Sequence, residues 1–200
     1  MITYAPVATL EIEVKLRAAD VADARARLER FGARLLHPRE FEDNRLYDFP
    51  DKSLMNRGAM LRLRVTDRGA FLTYKDRART EDGVKVREEI ESAVPGSEAA
   101  RLAETLERLG MTVAFRYQKF RTTWASEGLH LTLDETPIGI FIELEGERPA
   151  IDHAAVTLGF STTDYIASSY RDLYLTAPLE FRGRSDRMLF PDDRLAAEKN

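Results

Sequence analysis

The stretch Thr9-Leu10-Glu11-Ile12-Glu13-Val14-Lys15-Leu16-Arg17 alternates strictly between apolar side chains and polar or charged ones. A period of two predicts a β-strand with one apolar face and one charged face. The charged face carries Glu11 and Glu13 at a spacing of about 6.6 Å, from a rise of ~3.3 Å per residue. Two carboxylates this close repel each other, so the face needs an opposite charge nearby.

The same alternation recurs in later segments. The charged faces are formed by Arg62 and Arg64; by Arg87, Glu89 and Glu91; by Lys119 and Arg121; by Thr132 and Asp134; and by Glu143 and Glu145. A half-buried sheet with its charges in water is the ordinary interpretation of such strands. These faces carry runs of one sign, however, where exposed strands usually carry mixed polar residues. They therefore favour a second interpretation, in which the charges face inward.

Amphipathic helices supply the apolar partner that the second interpretation requires. We predict helices over about 21–31, 98–109, 151–158 and 163–175, and strands over 9–17, 33–49, 60–66, 70–75, 84–93, 113–126, 128–134 and 139–146. If the helices cover a closed barrel, the apolar strand faces point outward to them and the charged faces line the lumen. The predicted fold is α+β: a closed antiparallel β-barrel with a charged lumen and helices packed on the outside. We expect one domain over 1–177 and a flexible polar tail over 178–200.

Composition excludes several functional classes. The chain has 200 residues, no cysteine and a net charge of −4, so thiolate metal sites are excluded and nucleic acid or anionic membranes are not expected partners. The three histidines, His37, His130 and His153, lack metal-ligand spacing, which argues against zinc. We see no signal peptide or membrane span and expect a cytoplasmic protein. A homodimer is compatible with the sequence.

A charged lumen is costly unless water, ions and a ligand fill it. A small molecule with many negative charges, bound together with a divalent cation, would satisfy both sets of side chains. The carboxylates would hold the metal, and the Arg and Lys residues would hold phosphate oxygens. Because the available ligands are oxygens, we expect Mg²⁺ or Mn²⁺.

The Glu11-x-Glu13-x-Lys15 strand resembles the opening signature of the CYTH superfamily, which groups class IV adenylate cyclases with thiamine triphosphatases and inorganic triphosphatases. The later charged pairs follow in the family's order, with Lys75 after Arg64, over about residues 9–175. The resemblance implies a triphosphate tunnel in which Glu11, Glu13, Glu143 and Glu145 bind metal, with Glu89 and Asp134 as further candidates. It implies phosphate binding by Lys15, Arg62, Arg64, Lys75, Arg87, Lys119 and Arg121. The implied catalytic set is Glu11, Glu13, Lys15, Glu143 and Glu145.

Residues 44–48 (NRLYD) and 133–139 (LDETPIG) look closest to the cyclase-like branch. The first hypothesis is therefore a class IV adenylate cyclase that converts ATP to cyclic AMP and pyrophosphate. The second is a triphosphatase acting on inorganic triphosphate, thiamine triphosphate or nucleoside triphosphates. A non-catalytic polyphosphate-binding module and a structural barrel with internally paired charges are the alternatives outside enzymes. Tyr165 and Tyr170 lie on the predicted C-terminal helix; a role in capping the tunnel is the alternative, and helix packing is the favoured interpretation.

Overall fold

The computed structural model describes residues 9–178, 181–183 and 186–191. Its strands are β1 (Thr9–Ala18), β2 (Arg34–Asp48), β3 (Met60–Thr66), β4 (Gly69–Lys75), β5 (Arg79–Glu81), β6 (Val84–Val94), β7 (Thr112–Ser126), β8 (Leu129–Thr136), β9 (Gly139–Gly146) and β10 (Arg187–Met188). Its α-helices are α1 (Val21–Arg30), α2 (Ser53–Asn56), α3 (Ala99–Arg108), α4 (Arg148–Thr157) and α5 (Tyr170–Thr176). None of these helices is long and apolar enough to cross a membrane.

Eight antiparallel strands close into a barrel in the order β1, β9, β8, β7, β2, β3, β4 and β6. The barrel closes because β1 pairs on both sides. Glu13 lies opposite Lys85 of β6 on one side and opposite Glu145 of β9 on the other. The predicted closed antiparallel barrel is therefore confirmed, and β1 is the strand at which it closes.

The apolar strand faces point outward and are covered by helices. Val14 and Leu16 of β1 are fully buried in a cluster with Leu28 of α1 and Ile151 of α4. A second cluster places α3 over the outer faces of β3 and β4. Burial of this surface is the main stabilising term of the barrel, because each large aliphatic side chain removed from water contributes roughly 1.5–3 kcal/mol.

The charged strand faces point inward, as the sequence predicts. Glu11, Glu13, Lys15, Lys75 and Lys119 are all buried although each carries a charge. Charges are rarely buried in proteins unless they are paired, and each of these residues has a partner of opposite charge on the inner wall: Lys15 pairs with Glu13, Lys75 with Glu11, and Lys119 with Asp134. The ordinary interpretation, with these faces in bulk water, is therefore wrong for this barrel.

The helix predicted over 163–175 is wrong in its first half. The chain forms a short 3₁₀ turn at Thr162–Asp164 and enters α5 only at Tyr170. Between them, the N–H of Lys15 donates to the carbonyl of Ile166 at 3.1 Å, and the N–H of Ile166 donates to the carbonyl of Lys15 at 2.9 Å. The pairing of β6 with β1 ends at Glu13, so the backbone of Lys15 is free on that side and takes Ile166 as its partner.

Part of the tail packs on the barrel, in contrast to the flexible tail expected from the sequence. Arg187–Met188 forms β10, parallel to β7, and the side chains of Met188 and Phe190 are buried. Residues 179–180, 184–185 and 192–200 lie outside the described residues, and the domain boundary at 177 stays a prediction.

Candidate functional site

The inner faces of the strands enclose one cavity of about 600 Å³ that runs through the barrel. This volume falls within the range of about 300–1,000 Å³ that is usual for small-molecule sites. Carboxylates, ammonium groups and guanidinium groups line the cavity together. The site is therefore a charged tunnel with both signs in its wall.

The two carboxylates of β1 are each held by two cations. Glu11 accepts from Nζ of Lys75 at 2.6 Å and from Nε of Arg87 at 3.0 Å. Glu13 accepts from Nζ of Lys85 at 2.7 Å and from Nζ of Lys15 at 3.2 Å. Burial alone would raise the pKa of both carboxyls, but the cations outweigh it and the pKa of each is lowered. Both groups are therefore ionised at neutral pH.

Glu143 and Lys15 connect β1 to β9. Nζ of Lys15 lies 3.3 Å from Oε1 of Glu143, whose other oxygen pairs closely with Arg121. Burial opposes the charge of Glu143, but Lys15 and Arg121 lower its pKa overall. Burial likewise opposes the charge of Lys15, but Glu13 and Glu143 raise its pKa. Glu13, Lys15 and Glu143 are thus joined by direct contacts, while Glu11 forms a separate cluster with Lys75, Arg87 and Glu89.

Two arginines of β3 present unused donors to the tunnel. Arg62 donates to the hydroxyl of Thr73 at 3.2 Å, and Arg64 donates to Glu91 at 3.0 Å. The Nε atoms of both arginines are buried and have no hydrogen-bond partner among the described residues. A buried donor without a partner is costly, so these atoms are suited to an anion that enters the tunnel.

Asp134 lies at the centre of a third cluster and is completely buried. It accepts from Nζ of Lys119 at 2.8 Å, from Nε of Arg121 at 2.7 Å and from the hydroxyl of Tyr170 at 2.7 Å. A metal ion would have to displace one of these donors to reach the carboxylate. The metal-ligand role of Asp134 stays a prediction, and the contacts show it fixing two cations and one hydroxyl.

Glu145 differs from the other carboxylates of the tunnel. It is exposed to solvent at one mouth and makes no ion pair or hydrogen bond within the described part of the chain. The protein atoms packed around its carboxyl, followed by the nearby charges of Glu11, Glu13 and Glu89, raise the pKa of Glu145 to about 7. Lys75 pairs with Glu89 at 2.7 Å and lowers the pKa of Glu145, but it does not offset the combined effect of burial and the three neighbouring carboxylates. Glu145 is therefore a carboxyl group that lacks a cation partner among the described residues, while Glu11, Glu13 and Glu89 beside it are paired.

The carboxyl group of Glu145, close to Glu11, Glu13 and Glu89, is where a divalent cation fits. Among the described residues, no three carboxylate or imidazole side chains form a preformed metal cage. Mg²⁺ does not require such a cage, because it usually keeps several waters and binds one or two carboxylates together with substrate phosphates. The oxygen donors of Glu11, Glu13, Glu89, Glu143 and Glu145 suit a hard cation of this kind.

Lys85 of the tunnel wall and Glu42, which is buried beside that wall, are among the charged residues that were missed in the sequence. Lys85 contacts Glu13, and burial together with repulsion from Lys15 and Arg87 lowers the pKa of Lys85 to about 8. Its position two residues before Arg87 on the charged face of β6 was the available signal.

Glu42 of β2 was another omission. It lies 3.6 Å from both Lys119 and Arg64, and it is almost completely buried. Burial opposes its charge, but Lys119, Arg121 and Arg64 lower the pKa of Glu42 to about 2. The period-two pattern of Glu40, Glu42 and Asn44 on the strand predicted over 33–49 was the available signal.

Tyr170 is the third omission, and its interpretation as simple helix packing is wrong. Besides its hydrogen bond to Asp134, its ring lies 5.4 Å from Nζ of Lys15 and 5.1 Å from Nζ of Lys119. Tyr165, in contrast, packs outside the barrel and donates to Asp152 of α4 at 2.7 Å. Of the two tyrosines considered in the sequence, Tyr170 therefore lines the tunnel and Tyr165 does not.

The fold and the site together define a closed antiparallel barrel with a tunnel lined by paired carboxylates and cations. The family model of the CYTH domain matches residues 9–170, so the chain belongs to the CYTH domain family. The matched segment contains all the tunnel residues predicted from the sequence. The family assignment is confirmed, while the role of each residue stays a prediction.

Solved structures share this fold at low sequence identity. One of them is a Vibrio parahaemolyticus protein described as a candidate adenylate cyclase. It is 20% identical over 84% of this chain and 99% of its own, with a TM-score of 0.72. PH1819 from Pyrococcus horikoshii is 26% identical over 82% of this chain and 98% of its own, with a TM-score of 0.67. HpAC1 from Hippeastrum is a candidate adenylyl cyclase described as having a dominant triphosphatase activity. It is 18% identical over 87% of this chain and 100% of its own, with a TM-score of 0.66. No curated protein matches the chain.

Proposed function

We propose that this chain is a metal-dependent enzyme that cleaves a phosphoanhydride bond of a triphosphate inside the tunnel. The observation that carries the proposal has two parts. The buried Nε atoms of Arg62 and Arg64 have no hydrogen-bond partner among the described residues, and the carboxyl group of Glu145 at the solvent-exposed mouth has no cation partner among them. A bare polyanion would meet nearly as many carboxylates as cations in this wall. In a triphosphate bound with a divalent cation, the phosphates match the Arg and Lys side chains of the wall and the cation matches its carboxylates.

The basic residues would bind and orient the phosphates. Lys15, Arg62, Arg64, Lys75, Arg87, Lys119 and Arg121 all lie on inner strand faces, and most are already fixed by carboxylates. Donors that are oriented before the substrate arrives stabilise the charge of the transition state without reorganisation. Phosphoryl transfer depends mainly on this kind of positioning and charge stabilisation.

The acidic residues Glu11, Glu13, Glu89, Glu143 and Glu145 would hold Mg²⁺ or Mn²⁺. When bound, the metal would supply neutralisation of the phosphate oxygens and help to activate the nucleophile. Asp134 would act by holding Lys119 and Arg121 in place, since its oxygens already accept from both side chains.

Two reactions of a triphosphate are compatible with the residues that line the tunnel. In the first, the 3′-hydroxyl of ATP attacks the α-phosphorus and pyrophosphate leaves, which gives cyclic AMP. The likeness of residues 44–48 and 133–139 to the cyclase-like branch supports this reaction. In the second, water attacks a terminal phosphorus, the bond to the bridging oxygen breaks, the remaining diphosphate is the leaving group and orthophosphate is released. Solvent access at the exposed Glu145 supports hydrolysis.

We test the proposal by product analysis. The protein is incubated with Mg²⁺ or Mn²⁺ and, separately, with ATP, inorganic triphosphate or thiamine triphosphate, and the products are resolved by anion-exchange chromatography. Cyclic AMP with pyrophosphate indicates the cyclase, and orthophosphate indicates the triphosphatase. If none of the three compounds is turned over with either metal, the enzyme proposal is wrong.

A matched pair of variants tests the site within the same assay. Glu13→Gln should lower kcat/KM by about a hundredfold or more, because it removes one buried carboxylate from the proposed metal site. Glu88→Gln, on the exposed outer face of β6, should leave activity unchanged. Circular dichroism confirms that both variants fold. Full activity of Glu13→Gln would contradict the metal assignment.

We further propose that the enzyme acts in the cytoplasm on a small-molecule triphosphate, without nucleic acid or a membrane as partner. Cell fractionation tests the location. The homodimer allowed by the sequence is tested by size-exclusion chromatography with light scattering.

A further inference from the structure

Four inward-facing residues form one row across neighbouring strands of the tunnel wall. Glu13 of β1 lies opposite Lys85 of β6 on one side and opposite Glu145 of β9 on the other. Glu145 in turn lies opposite His130 of β8, and all four residues line the cavity. Facing Cβ atoms on antiparallel strands are only about 4.5–5.5 Å apart. Glu13 therefore has an ammonium group on one neighbouring strand and a second carboxyl group on the other.

Two ammonium groups contact the same oxygen of Glu13. Nζ of Lys85 donates to Oε1 at 2.7 Å, and Nζ of Lys15 donates to the same Oε1 at 3.2 Å. A single negative charge thus faces two positive charges. Glu145, in contrast, has no cation partner among the described residues. The cations of this row are therefore concentrated on one of its two carboxyl groups.

The two lysines differ in what else holds them. Nζ of Lys15 also lies 3.3 Å from Glu143 and 5.4 Å from the centre of the Tyr170 ring. Lys85 forms its ion pair and its side-chain hydrogen bond with Glu13 alone within the described part of the chain. Only 5% of Lys85 is exposed, so bulk water is a poor alternative partner for its ammonium. Lys85 is therefore a buried cation that depends on one carboxylate.

The position of Lys85 conflicts with a divalent cation on the same carboxylate. Glu13 is one of the residues proposed to hold Mg²⁺ or Mn²⁺. A divalent cation on either oxygen of Glu13 would face the ammonium of Lys85 across a single carboxylate group. Like charges this close repel strongly where protein atoms exclude water. The contact with Lys85 therefore lowers the affinity of Glu13 for a metal ion.

Release of Lys85 from Glu13 would leave three cations close together. Arg87 follows Lys85 on the inner face of β6 at about 6.6 Å, and Lys15 already contacts the same carboxylate. Phosphate oxygens are a counter-charge that Lys and Arg side chains bind through charge-assisted hydrogen bonds. A triphosphate in the tunnel would therefore pair with the ammonium that a metal ion displaces.

We propose that Lys85 competes with the divalent cation for Glu13, so that the metal binds strongly only together with the triphosphate. This inference rests on the metal site of the proposed function and adds a regulation of that site. When neither ligand is bound, Lys85 occupies Glu13 and the metal affinity is low. When the triphosphate is bound, its phosphates pair with Lys85 and Glu13 becomes available to the metal. By linkage, the metal and the triphosphate then each raise the affinity for the other.

Binding of Mn²⁺ to the substrate-free protein tests the competition. The signal of free Mn²⁺ in electron paramagnetic resonance gives its affinity without turnover. Lys85→Met should tighten Mn²⁺ binding by about tenfold or more, because the nearest competing charge is removed. Lys85→Arg keeps the charge and should bind Mn²⁺ like wild type. If the melting temperature shows that Lys85→Met is not folded, Lys85→Gln takes its place.

Arg62→Met is the matched control for the loss of one tunnel cation. Arg62 contacts Tyr117, Thr73 and Glu91, and none of the carboxylates proposed as metal ligands. It should therefore tighten Mn²⁺ binding by less than about threefold, through distant charge alone. Equal tightening in Lys85→Met and Arg62→Met would indicate a general charge effect and would overturn the inference.

The link to the substrate is tested with inorganic sulfate, an anion that the protein cannot hydrolyse. Compared with potassium chloride at equal ionic strength, sulfate should tighten Mn²⁺ binding to wild type by about fivefold or more, and to Lys85→Met by less than about twofold. Equal tightening in both proteins would refute the link.

An Mn²⁺ affinity of Lys85→Met that equals that of wild type would also overturn the inference, as would the absence of measurable Mn²⁺ binding in every variant. Neither measurement requires turnover. A protein that binds Mn²⁺ as expected but cleaves no triphosphate would therefore refute the proposed reaction and leave the competition by Lys85 intact.

Discussion

Asp134→Asn is the substitution whose consequences follow most directly from the contacts of the tunnel. The carboxylate is completely buried and accepts from Lys119, Arg121 and Tyr170. Asparagine keeps the shape but removes the charge, and its NH₂ group faces donors where an acceptor is required. Two buried cations then lose the carboxylate that they share.

The magnitude follows from the cost of breaking a buried ion pair. Removal of one partner costs about 3–5 kcal/mol, because the remaining charge stays buried without compensation. Part of this loss of stability is offset, because Lys119 also lies near Glu42 and Arg121 also pairs with Glu143. For a chain of about this size, 1 kcal/mol shifts the melting temperature by roughly 2–4 °C. We therefore expect a decrease of about 6–20 °C.

Differential scanning fluorimetry measures the melting temperature with and without inorganic triphosphate. The anion should stabilise Asp134→Asn more than wild type, because it compensates the freed charges of Lys119 and Arg121. Glu127→Gln, in the exposed turn between β7 and β8, is the control and should melt like wild type. A variant that melts within 2 °C of wild type, or gains no extra stabilisation from triphosphate, would refute this account of Asp134.

Two further predictions concern residues that the sequence did not identify. Tyr170→Phe should lower the unfolding free energy by about 1.5–3 kcal/mol, because it removes a hydrogen bond to the buried carboxylate of Asp134. Chemical denaturation measures the change in unfolding free energy, and an unchanged denaturation midpoint would contradict the prediction. The pKa of Glu42 is about 2 in the folded state against 4.5 ordinarily, so its stabilising contribution is present above about pH 4.5 and is lost as the pH falls toward 2. The melting temperature of Glu42→Gln should therefore fall less steeply than that of wild type between pH 5 and pH 2. If the melting temperatures of the two proteins fall in parallel with pH, ionisation of Glu42 does not contribute to stability.

The alternation in β1 and in the later strands was sufficient to predict the two faces of the barrel wall. Side chains alternate across any strand because of backbone geometry, so Glu11, Glu13 and Lys15 share a face in every possible fold of that strand. The amphipathic helices then indicated which face points inward. Most of the tunnel lining could be predicted on this basis, whereas the family assignment came from the resemblance of the Glu11-x-Glu13-x-Lys15 strand and the later charged pairs to the CYTH signature.

The partners of these residues could not be predicted, because they depend on how the strands are aligned when the barrel closes. Lys85 reaches Glu13 from 72 positions along the chain, and Tyr170 reaches Asp134 from 36. The helix predicted over 163–175 failed for the same reason, since a free backbone edge at Lys15 outweighs local helix propensity. Sequence alone therefore determined which side chains face the tunnel, because that depends on local geometry. Only the tertiary structure decided which charges neutralise one another and which donors stay free, because those depend on strand register around a closed sheet.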